Sequence, residues 1–181
     1  MNGNEILLDI INENEKTVQY LVKEIPIDCW YWKPDSGANT IAITLWHSTR
    51  ALDVFLTQHV LGQDAKTEYW HTSGFATQTM YDPHGIGTNG WGQLTGYTLE
   101  EVAEIPEMYP SLLLEYFTVV ITALKTYIKN TPMGEIQQPA PGYDGKFNSY
   151  FWIRHPLLDL TRHLGEIMAI HAYWQRIQEN V

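Results

Sequence analysis

Residues 111–129, SLLLEYFTVVITALKTYIK, decide the fold class. Leu113, Leu114, Phe117, Val120, Ile121, Leu124 and Ile128 recur at steps of three and four, the spacing that gathers side chains on one face of an α-helix. Upstream, Thr98-Leu-Glu-Glu101 reads as a capping box that opens this third helix. Pro106 and Pro110 break or kink its first part, so the strong stretch is Ser111–Lys129. Working outward, the same period returns in residues 4–24, where Ile6, Leu7, Ile10, Ile11, Val18, Leu21 and Val22 face inward and Pro26 ends the run. It returns again at about 40–61, capped by Asn39 or Thr40, with Ile43, Leu45, Trp46, Leu52, Phe55, Leu56 and Val60 on the stripe and Gly62 as terminator. A fourth helix runs to about residue 177. Its start is open, because Pro156 suits a first helical turn and pushes His155 away from helical geometry. Four amphipathic helices without a strand pair predict an all-α protein, an antiparallel four-helix bundle in one domain spanning 1–181.

Between the second and third helices, residues 62–97 carry no helical period and are rich in Gly, Thr, Trp and Tyr. A connection of that length usually has a task, such as a lid or a pocket wall. Trp70, Trp91, Tyr69, Tyr81 and Tyr97 either wall a pocket or staple the loop to the core. The Gly-rich string 85–92, GIGTNGWG, is rejected as a phosphate loop because it follows no strand and opens no helix with Lys-Ser/Thr. The Asp35-Ser36-Gly37 turn and the Pro/Gly-rich segment 131–148 complete the connectors.

The 181 residues carry 11 basic and 21 acidic side chains, a formal net charge of −10. Nucleic-acid binding draws on Lys and Arg displacing phosphate counterions, so neither nucleic acid nor an anionic membrane surface is an expected partner. No stretch approaches the roughly 20 apolar residues of a span, and the acidic first residues lack a basic leader, so the expected location is the cytoplasm. The single cysteine, Cys29, excludes an internal disulfide. It has no neighbouring His or cationic cluster, and reads as a small buried residue rather than a nucleophile.

Chemistry points elsewhere. In RHPLLDLTRHLGE, 154–166, His155, Asp159 and His163 stand at four-residue steps. Such steps stack side chains on one helix face. In LWHSTRALDVF, 45–55, His47 lies among apolar turns. Bundles build metal sites from side chains converging from facing helices, and two imidazoles with a carboxylate suit Zn²⁺, Ni²⁺, Mn²⁺ or Fe²⁺. His47, Asp159 and His163 are therefore the candidate ligands. Glu166 is either an outer partner of a ligand or a solvated residue. Because of Pro156, His155 is expected off the stripe, in a structural role. His171 reads as partly buried. His59, His71 and His84 sit at a helix end or in the long loop, where exposed histidines are common, with His71 and His84 as reserve ligands.

The connector-to-helix run CWYWKPDSGANTIAITLWHSTRALDVF, the T-x-E-E start and the DLTRHLGEI segment together resemble the DinB/YfiT-like superfamily of metalloenzymes. That resemblance implies a four-helix bundle that is often a homodimer. It also implies a divalent metal held by three histidines, one on helix two and two at i,i+4 on helix four. His47 and His163 match, as do Gly165 and the acidic Glu166, while Asp159 stands where relatives commonly have His. A carboxylate there lowers the Lewis acidity of the ion and favours harder metals such as Mn²⁺ or Fe²⁺; it also leaves open that the metal has been lost. Low-molecular-weight-thiol-dependent transferases and isomerases, and hydrolases, are the activities implied, with a small-molecule substrate. A metal-free module binding a small apolar ligand is the rival reading.

Overall fold

Asn2 and Glu5 start the first helix by capping each other: the Asn2 carbonyl oxygen accepts from the Glu5 N–H, and the Glu5 carboxylate accepts from the Asn2 N–H. The helix, α1, runs Gly3–Glu24. The computed structural model describes residues 2–179 and, among them, contains no strand; an isolated bridge joins Pro139 and Asn148. Leu7, Ile11, Val18 and Leu21 are buried along α1 as expected. Ile6 and Ile10 are not: they stay 48% and 42% exposed, because the inward arc of α1 is narrower than its apolar arc.

The second long helix, α2, spans Ile41–Val54, and the Thr40 hydroxyl caps it by accepting from the Ile43 N–H. Every residue of α2 except Ile43 is buried, which makes it the central helix. It then widens into a π-helical turn, Phe55–Val60, whose exit is marked by the Leu61 N–H reaching back five residues to the Leu56 carbonyl at 2.9 Å. Gly62 ends it in the left-handed region at φ +63°.

The third, α3, spans Pro110–Asn130 with Pro110 in the first turn, where its missing N–H costs nothing. The capping box at Thr98 forms, but its helix is only Leu99–Ala103, so the expected third helix is two pieces parted by the proline-containing segment. The expectation that no stretch approaches a membrane span needs correction: α3 is long and apolar enough by length and composition. Its apolarity has another use here, since Leu113, Phe117, Val120, Ile121, Leu124 and Ile128 are core residues.

The fourth, α4, is continuous from Ser149 to Glu179 with Pro156 inside it. Pro156 therefore neither starts the helix nor removes His155 from it. The aromatic contacts of Phe151 and Trp152 before it, and the burial of Pro156 and Leu157, carry the helix through. Helix α2 packs against α3 and α4, and α1 against α3 and α4, around one connected cluster of buried side chains. The long connector is not structureless: Ala65–Thr67, Tyr69–Thr72, Phe75–Thr79 and Thr88–Gly90 are single helical turns.

Candidate metal centre

The burial of α2 and the i,i+4 step on α4 bring His47, Asp159 and His163 to one point. Nε2 of His47 and Nε2 of His163 each lie 3.5 Å from the same oxygen, Oδ2 of Asp159. One donor atom from each residue falls within 4.8 Å of the other two. The two imidazoles meet edge to face, 5.0 Å between centroids. His47 is buried, and the other two are half-buried, leaving one side open.

What sits behind each ring fixes which nitrogen faces inward. Nδ1 of His47 is hydrogen-bonded to the main-chain carbonyl of Gln93, and a carbonyl only accepts, so His47 carries its proton on Nδ1. Nδ1 of His163 lies 2.7 Å from a Glu166 carboxylate oxygen, so the same holds there. Both Nε2 lone pairs then converge on a carboxylate oxygen, an arrangement of three acceptors that a positive charge must complete. With no ion between them a proton on Nε2 meets the same need: hydrogen bonding from His163 first, and then from His47, holds the Asp159 carboxyl far below its usual range. The His163 imidazole is raised, chiefly by Asp159. Donors at about 2.1 Å from a tetrahedral ion lie about 3.4 Å apart, close to the 3.5 Å separations found here. The outer partners are also the kind that hold ligating histidines.

The remaining histidines are elsewhere. His155 is helical and exposed, stacked on Phe151 at 5.7 Å, outside the cluster. His171 is half-buried, with Nε2 lacking a partner. His71 and His84 lie away from the donor group; His71 stands 3.6 Å from Asp82 and His84 is exposed. His59 overturns the expectation of exposure: the π turn buries it against Trp152, Trp91, Phe55 and Tyr143, with both ring nitrogens unpartnered. Its imidazole is pushed down to about 4 by that burial. Cys29 is buried and its thiol is pushed up to about 11 by desolvation, which removes it as a nucleophile at neutral pH.

The loop aromatics are staples. Trp70 is fully buried against Trp46, Phe75 and Tyr116, and its indole N–H donates to the Tyr81 carbonyl. Trp91 packs on Phe55 and His59. A second anchor escaped the sequence reading: the fully buried Arg50 donates to Glu68 at 2.8 Å, and Asp53 accepts from the Tyr69 and Trp70 N–H groups and the Tyr116 hydroxyl. The signal that could have found it is an Arg and an Asp three apart on a helix with no other Lys, Arg, Asp or Glu.

A family model described as the DinB superfamily matches residues 10–167. The chain belongs to the DinB superfamily. Among solved structures, the DinB chain is similar to a conserved protein of locus from Enterococcus faecalis, with a TM-score of 0.75 and 14% identity, covering 94% of this chain and 96% of that one. At that identity the likeness shows the shared fold alone. No curated protein matches the sequence.

Proposed function

We propose that this DinB-superfamily chain is a divalent-metal-dependent enzyme of the small-thiol transferase or hydrolase class, with His47, Asp159 and His163 as the metal ligands. The observation that carries this is the convergence of two bare Nε2 lone pairs and one carboxylate oxygen while both Nδ1–H groups are spent outward. A divalent ion held there supplies Lewis acidity, bringing the pKa of a water or thiol near neutrality. The chain's own residues do the rest. Gln93 and Glu166 keep the rings in the ligating tautomer, and Asp159 adds a negative charge that lowers the ion's acidity relative to an all-histidine site. Zn²⁺, Ni²⁺, Mn²⁺ and Fe²⁺ all suit the set, with Mn²⁺ and Fe²⁺ favoured by the carboxylate. We read the four long helices as one antiparallel bundle domain over 1–181, cytoplasmic, acting on a small molecule and pairing as a homodimer, with neither nucleic acid nor membrane as partner.

Elemental analysis of the purified protein beside His47→Ala, Asp159→Ala and His163→Ala tests the site. About one divalent ion per chain in the wild type, lost in each variant, supports it; a wild type with no ion after reconstitution overturns it. The rival, a metal-free small-molecule module, draws on Asp159 lying 3.5 Å from both imidazoles, where a proton can serve as the missing charge. It expects His47→Ala to change stability without changing metal content.

A further inference from the structure

We propose that Arg50 and the loop segment Trp91–Leu94 form a positioning device that fixes His47 as the tautomer able to ligate. The inference rests on the metal reading above and names the part of the fold that makes one of its ligands competent. In an extended chain, successive carbonyls point to opposite sides. Here the left-handed Gly92, φ +62°, and Leu94, φ +76°, bend the chain so that three consecutive carbonyls meet one face of α2. Arg50 Nη2 donates to the Trp91 oxygen at 3.3 Å, Arg50 Nε to the Gly92 oxygen at 3.1 Å, and His47 Nδ1 to the Gln93 oxygen. His47 and Arg50 are one helical turn apart, so the guanidinium sets the height at which the third carbonyl meets the imidazole.

Both sides of this contact are rigid. Arg50 has no exposure, and its other donors are held by Glu68, Asp53 and the Tyr116 hydroxyl. On the loop side, a Cβ at Gly92 would lie 2.3 Å from the Pro83 carbonyl oxygen, and Gln93 is itself buried. Leu94 holds a backbone conformation that a leucine rarely adopts, the kind of local strain that surrounding structure must impose. His163 is aimed differently, by Glu166 on its own helix and partly in solvent. The two imidazoles are therefore separable: disturbing the loop changes one and spares the other.

The test reads ring protonation in the metal-free protein by long-range ¹H–¹⁵N correlation of ¹⁵N-labelled histidine. The expected wild-type spectrum has His47 protonated on Nδ1; a proton on Nε2, or an averaged signal, overturns the proposal. Arg50→Lys keeps the charge between Asp53 and Glu68, but its three donors cannot serve both carboxylates and both carbonyls. Gly92→Ala displaces the same carbonyls from the loop side and leaves Arg50 in place. Each variant is expected to mix the tautomers of His47 while His163 keeps its Nδ1 proton, and to weaken Zn²⁺ binding about ten- to a hundredfold. A folded variant in which His47 keeps its single tautomer overturns the device, as does equal disturbance of both rings. If neither variant folds, the wild-type spectrum decides. A wild type that takes up no Zn²⁺ yet carries the His47 proton on Nδ1 overturns the metal reading alone.

Discussion

His59 shows how far one side chain can depart from its sequence context. It stands near a helix end, where histidines are commonly solvated, yet it is 3% exposed with two orphaned ring nitrogens. Its imidazole titrates at about 4 in the folded chain against 6.5 when unfolded. A depressed folded value means that His59 costs nothing in charge above pH 6.5, and that stability is lost as pH falls from 6.5 toward 4. At pH 5 the loss is about 2 kcal/mol. His59→Phe, which keeps a ring against Trp152 without the nitrogens, is expected to flatten the fall of Tm between pH 7 and pH 4.5; an unchanged slope would remove His59 as its cause. At this scale the candidate ligands were legible, because imidazoles and carboxylates declare themselves by type and spacing. The partner of His47 was not: a Gln93 main-chain oxygen has no residue-type signature, and it arrives from 46 positions away.

Two glycines make opposite predictions about the elements that carry them. A Cβ on Gly142 would lie 2.0 Å from the Gln58 carbonyl oxygen and 2.6 Å from the His59 Cα, backbone atoms that cannot yield. Gly142→Ala is therefore expected to destabilise by about 2–3 kcal/mol, read as a lower midpoint in urea. Gly165, inside α4 between His163 and Glu166, has open space around it. Gly165→Ala should stabilise by about 1 kcal/mol through helix propensity. A stabilised variant with weakened metal binding would assign that glycine to ligand approach. Helical period located all four long helices, since burying one face is what produces the pattern. It misjudged α4 near Pro156, because local preference for a helix start is overridden when Trp152 and Leu157 are buried on either side. The short helical turns of the long connector escaped for a related reason: they are too brief to display a period, and the turn Tyr69–Thr72 is started by Asp53, which accepts from its first two N–H groups from a distant helix.

For the molecule as a whole, one face is conspicuously apolar. Ile6 and Ile10 of α1 meet Tyr150 and Leu158 of α4 around a groove of about 410 Å³ that also includes Leu157 and Met133. In the proposed homodimer this face is where a second copy would bury area. Ile10→Glu is expected to convert a dimer to a monomer in sedimentation while leaving metal content intact; an unchanged dimer would move the interface elsewhere. The −10 net charge makes a further expectation simple: no DNA retention, even at low salt.

The π turn of α2 has a consequence for how relatives are aligned. Widening Phe55–Val60 by about one residue per turn carries His59 to the direction an ordinary helix would give Gln58. A homologue lacking that extra residue would place the residue one position earlier in its own helix where His59 points here. An alignment that forbids gaps inside helices would pair the wrong side chains from there to Gly62. The place to allow an insertion is within residues 55–60, in the last turn of the helix, and not in the loop that follows.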